Sequence, residues 1–148
     1  MPTGARLMTA VLLGLAMVGA AYIAAFHDPS LVTARERLFG LAGVVGAFFG
    51  WTMLGRKLGR GFASSAGWSL SAITIAGFWF FAILAMRSSY VAMMAGQYRG
   101  RPVQALEATV ETFIIFAGYA ADLRVVVVAV TGGIIAGAMG EYARMIWN

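Results

Sequence analysis

Apolar residues along this chain fall into four long stretches that no charged side chain interrupts, at residues 7–26, 38–55, 61–86 and 125–140. They are 20, 18, 26 and 16 residues long. A helix rises about 1.5 Å per residue, so roughly 20 apolar residues cross a hydrocarbon core about 30 Å thick, and 16 to 18 nearly do. The pattern predicts an all-α membrane protein, a single domain over residues 1–148 with transmembrane helices at about 7–26, 38–54, 64–86 and 123–141.

The polar punctuation sets the connections. Arg6 before the first stretch and Val18-Gly19-Ala20 within it also fit a cleavable signal peptide, but an apolar run of 20 exceeds the usual signal core, and a retained helix is the expectation. Asp28-Pro29-Ser30 breaks the chain, and Thr33-Ala34-Arg35-Glu36 has the form of a capping box that opens the second helix. Three glycines and three cations crowd residues 55–61, which read as a tight loop. The hydroxyls at Ser64, Ser65, Ser69, Ser71 and Thr74 do not forbid a third span, because each can bond a carbonyl one turn back. Residues 98–102 read as a turn, with Pro102 opening a helix over about 102–121. There Gln104, Glu107, Glu111, Gly118 and Asp122 form one polar stripe on an otherwise apolar helix. The expected architecture is a bundle of four transmembrane helices plus this interfacial amphipathic helix between the third and fourth. The alternative is a helix sunk in the membrane with its stripe against the bundle.

Composition removes several chemistries. Of the 148 residues 61% are hydrophobic and 11% charged, against about 25% charged in a soluble domain. With no cysteine there is no disulfide, thiolate metal site or thiol nucleophile, and the lone His27, in a turn, cannot build a bis-histidine haem site. No cofactor is expected. The net charge of +5 sits beside the spans, where it points to membrane lipids as partners and not to nucleic acid. Arg56, Lys57 and Arg60 are packed into one short loop, so the expected orientation has both termini in the cytoplasm. The same three residues could instead hold an oxyanion or a lipid phosphate.

Small residues recur every four positions at Ala42, Gly46 and Gly50 and at Ala129, Gly133 and Gly137, with Gly132, Ala136 and Gly140 on an adjacent strip. Such ladders let helix backbones touch, either within one chain or at the seam of a homodimer or larger membrane complex. Gly50 and Gly55 have the spacing of a phosphate-binding loop, but Arg56 follows Gly55 and no hydroxyl follows Lys57, so the chemistry fails. Glu107, Glu111, Asp122 and Glu141 are candidate functional carboxylates, as intramembrane acids can mark ion paths or pair with a cation such as Arg124. No convergent nucleophile and base accompany them, and an enzyme is not expected.

Gly50-Trp51 with Gly55, Gly59-Arg60-Gly61, Phe78-Trp79, Tyr98 with Gly100 and Pro102, Asp122, Gly132-Gly133 with Gly137 and Glu141, and a tryptophan near the end resemble the TrgA family over nearly the whole chain. So does the opening Met1-Pro2-Thr3. The family comprises small alphaproteobacterial membrane proteins associated with tellurite resistance. Where the family has an acidic residue before the glycine and proline, this chain has Arg99 and Arg101. The resemblance implies a bacterial inner-membrane location and tolerance of tellurium oxyanions, with no catalytic residues. A chain without cysteine cannot itself be a thiol reductant, so the expected role is accessory or scaffolding, with a small channel or transporter for an ion or oxyanion as the alternative. Reporter fusions after Gly59 and after Asn148 are predicted to read the same side, the cytoplasm. Opposite readings would require a fifth span at residues 103–121.

Overall fold

The computed structural model describes residues 3–26, 35–98 and 101–147, and it is helical with no strand among them. His27 and the Asp28-Pro29-Ser30 turn lie outside the described residues, as do Arg99 and Gly100. Five helices follow in order: α1 (Thr3–Ala24), α2 (Arg35–Phe49), α3 (Phe62–Met94), α4 (Pro102–Ala120) and α5 (Leu123–Ile146). The chain continues α2 through a π-helical turn, Gly50–Leu54, and a last helical turn, Gly55–Lys57. Four helices are long and apolar enough to cross a membrane: Gly4–Ala24, Arg37–Lys57, Phe62–Met94 and Leu123–Ile146. The protein is a multi-pass helical membrane bundle.

Helix α1 occupies the centre, against both α2 and α5. A Cβ built on Gly46 of α2 would stand 2.8 Å from the Leu13 carbonyl oxygen and 2.9 Å from the Gly14 Cα. One built on Gly50 would stand 2.6 Å from the Thr9 carbonyl oxygen. These contacts run antiparallel, later residues of α2 meeting earlier ones of α1. On α5 the two small-residue strips face different helices. Gly132 and Gly140 meet Ala16 and Thr9 of α1, whereas Gly133 and Gly137 meet α3 at Ile73 and at the Ser65 carbonyl. Adjacent positions on a helix are about 100° apart, so the paired strips seat α5 in the groove between its two neighbours. All four ladder glycines, Gly46, Gly50, Gly133 and Gly137, thus pack within the chain.

Three boundaries depart from the sequence expectation. The second helix stays helical through Lys57, so the tight loop expected over residues 55–61 is confined to residues 58–61. The third helix does not stop near Met86 but runs for 33 residues, about 50 Å, to Met94. Arg87 ends an apolar window without breaking a helix, and the break comes at Gly96, whose φ is +79°. There the Gly96 N–H donates to the Met93 carbonyl and the Gln97 N–H to the Ala92 carbonyl, which is a Schellman ending. The last helix likewise extends beyond residue 141 to Ile146.

Helix α4 returns along the second half of α3, where the Thr109 hydroxyl donates to Ser89 Oγ at 2.6 Å and Phe113 meets Phe78 edge-on at 5.4 Å between ring centroids. After two residues, α5 continues in the same direction along the first half of α3. Together α4 and α5 match one overlong helix, so α4 adds no change of direction. The described starts of α1 and α3 and the ends of α2 and α5 therefore share one end of the bundle.

Where backbone meets backbone, a methyl group has nowhere to go. Gly46→Ala should destabilise the bundle by about 1–3 kcal/mol, the usual cost of overpacking. Gly67→Ala, on α3 with no atom within 4 Å of an added Cβ, should leave the denaturation midpoint in detergent unchanged or higher.

Candidate functional site

The polar chemistry gathers at the end of the bundle that holds the 58–61 turn. Leu58 is extended, and Gly59 and Gly61 have φ of +100° and +93°, values that side chains with a Cβ rarely adopt. This backbone aims the Gly59 N–H into the bundle. It donates to Glu141 Oε2 at 2.7 Å, and the Ser65 hydroxyl donates to the same oxygen at 2.9 Å. Arg144, one turn on along α5, places Nη1 at 3.7 Å from Glu141 Oε1. Glu141 is 2% exposed, which makes it the one buried ionisable side chain among the described residues.

A buried carboxylate is costly unless its oxygens are satisfied, and here a backbone amide, a hydroxyl and a guanidinium converge on it. What the arrangement does chemically is fasten the turn. Glu141 ties the α2–α3 connection to α5, and Arg144 lies where any Cβ at Gly59 would have to go.

The neighbouring cations have separate tasks. Lys57 places Nζ 4.7 Å from the centroid of the Trp68 ring, a cation–π contact. The stem of Arg6 packs on Gly55, with Cγ 2.8 Å from the place a Cβ would take. Its buried Nε has no hydrogen-bond partner among the described residues. Arg56 and Arg60 are exposed. Thr9 is fully buried, with its hydroxyl 2.9 Å from the Arg6 carbonyl oxygen and 3.0 Å from the Gly50 carbonyl oxygen. That second oxygen also accepts the Gly55 N–H, so the π-helical turn of α2 is hydrogen-bonded to α1 at this point.

The other candidate carboxylates are not brought to Glu141. Glu107 and Glu111 lie on the exposed face of α4, beside exposed Leu106, Val110 and Ile114. Asp122 is the N-cap of α5, its Oδ1 accepting the Arg124 N–H at 2.7 Å. No group of three histidine, cysteine or acidic residues that could hold a metal ion occurs among the described residues.

The sequence reading named Ser65 only as a tolerated hydroxyl and Gly59 only as part of a glycine motif, and it did not name Thr9, so none of the three was a candidate site residue. The available signal was the match in spacing between Ser65 and Ser69 on one helix and Gly133 and Gly137 on another. Comparison of the chain with known protein families, with curated proteins and with solved structures finds no match.

Removing the carboxylate strands a hydroxyl and a cation. Glu141→Ala should cost about 1–3 kcal/mol of stability in detergent. Glu141→Gln should cost less, since an amide oxygen still accepts from Gly59 and Ser65. Ser65→Ala combined with Glu141→Ala should cost less than the sum of the two alone, because the pair acts together. Glu107→Gln and Glu111→Gln should leave the same denaturation curve in place.

Proposed function

We propose that this chain is a non-enzymatic accessory or scaffolding protein of the bacterial inner membrane, with its termini in the cytoplasm and a contribution to tellurite tolerance. The observation that carries the reading is the closure of the bundle by backbone contacts: Gly46 on Leu13 and Gly14, Gly50 on Thr9, and Gly137 on Ser65. An ion path along the helix interfaces would need space and unspent polar groups at these places. The buried carboxylate is already held by Gly59, Ser65 and Arg144.

Further support comes from the distribution of charge. Arg6, Arg56, Lys57, Arg60 and Arg144 stand at one end of the bundle, an arrangement suited to the anionic surface of the cytoplasmic leaflet. In this reading α4 lies at the opposite edge of the bilayer, with Glu107 and Glu111 beside Leu106, Val110 and Ile114 on its exposed face. Tolerance of tellurium oxyanions rests on the family resemblance described above.

Tellurite uptake into proteoliposomes decides between this reading and its alternative. Vesicles containing the purified chain should take up tellurite no faster than empty vesicles. Saturable uptake or a conductance abolished by Glu141→Ala would establish a transporter or channel instead.

A further inference from the structure

At the end of the bundle that holds the 58–61 turn, Arg6, Arg56, Lys57, Arg60 and Arg144 meet a single carboxylate among the described residues, Glu141. Arg144 answers that carboxylate, Lys57 lies over Trp68, and Arg56 and Arg60 are exposed. Arg6 differs from all of them, because it is half-buried and its stem is wedged against the next helix. Gly55, in the last turn of the second span, makes the room. A Cβ there would stand 2.8 Å from Arg6 Cγ and 3.2 Å from Arg6 Cβ.

The Arg6 guanidinium makes no hydrogen bond or ion pair with any described residue. Its Nε is enclosed without an acceptor, the one side-chain nitrogen or oxygen so placed among them. Nη1 and Nη2 are equally unbonded but not enclosed, so the outer edge of the group opens out of the bundle with its N–H donors unspent. A guanidinium gripped by its stem, with both terminal nitrogens open, is a preformed fork for two oxygens of an oxyanion. Loss of water at Nε without a substitute makes the charge depend the more on an acceptor at that edge.

The helices around the fork set its level in a bilayer. Arg6 lies two residues, about 3 Å, inside the start of the apolar span Gly4–Ala24, and Gly55 lies two residues inside the end of Arg37–Lys57. Trp147 lays its ring on Gly4, with Cε3 2.6 Å from the place a Cβ would take, as tryptophan does at the rim of the hydrocarbon. Lipid phosphates lie at that rim, within reach of a cation that ends there. We propose that Nη1 and Nη2 of Arg6 hold the phosphate group of a membrane phospholipid where α1 meets the last turn of the second span. The site rests on the membrane-spanning reading, and on neither the accessory role nor the side the termini face.

Native mass spectrometry of the delipidated full chain in mild detergent tests it, with phosphatidylcholine compared against diacylglycerol of the same acyl chains. Phosphatidylcholine has no net charge, so its retention reports the phosphate contact and not the general field of the cations. It should bind at one saturable site about tenfold more tightly than diacylglycerol, and Arg6→Gln should erase that preference. Arg6→Lys keeps the charge and the stem but loses the fork, so an intermediate preference is expected, which carries the test if Arg6→Gln does not fold. Arg60→Gln should leave the preference intact. Inorganic phosphate should neither bind the delipidated chain nor displace the lipid; if it does both, the site takes free phosphate and the lipid assignment is overturned. Equal retention of the two lipids, or a preference unchanged in either Arg6 variant, would overturn the site itself. If the reporter fusions still give four crossings, such a result leaves the membrane-spanning reading in place.

Discussion

Helices in a membrane gain little from hiding apolar side chains, since lipid is as apolar as they are, and their association rests on how closely their backbones can approach. In this bundle that constraint is met around α1. Gly14, Gly46 and Gly50 let α2 lie on one side of it, and Gly132 and Gly140 let α5 lie on another. Once α1 and α5 are in contact, the adjacent strip at Gly133 and Gly137 selects the position of α3. Large side chains are sent outward: Leu7, Leu15, Phe48, Phe78 and Trp79 are all exposed, to the benefit of contact with lipid.

Close approach also solves the problem of polar groups in an apolar medium. The Thr9 hydroxyl reaches the Gly50 carbonyl of the next helix because Gly50 has no side chain in between. The π-helical turn there widens α2 by one residue and adds the Gly55 N–H to the same acceptor. Glu141 follows the same logic at the bundle's end, with Gly140 against Thr9 on one side and Gly137 against Ser65 on the other drawing α5 deep enough for its carboxylate to meet the turn.

Much of the architecture was legible because the four apolar windows are bounded by charges. Helix type, number and order follow from length and hydropathy, and the start at Pro102 follows from local chemistry; Asp122, read from the sequence as the end of the α4 polar stripe, instead caps the start of α5. The overrun of α3 was not legible from the windows, since a single Arg87 can sit on an exposed helix face at no cost to its backbone. Nor was the setting of Glu141. Its partner Gly59 is 82 positions away, and the contact exists only because two glycines adopt positive φ and turn an amide inward. The small-residue ladders were visible, but a sequence cannot say whether they meet another helix of the same chain or of a second copy. That is decided by register, which here places every ladder glycine against a neighbour in its own chain.

Because the chain has no cysteine, that assignment can be tested in native membranes by introducing pairs and oxidising them. A Cβ at Gly19 would lie 3.4 Å from Cγ1 of Val128, and one at Gly43 would lie 3.3 Å from Cγ2 of Val18, close enough for disulfides. The decisive measurement is oxidation of Gly19→Cys with Val128→Cys, and of Val18→Cys with Gly43→Cys, followed by thiol labelling and non-reducing electrophoresis. Both pairs should form disulfides within single chains, losing their thiols while migrating as monomers. Cross-linked dimers, or thiols that stay free in both pairs, would contradict a bundle held together by glycine contacts within one chain.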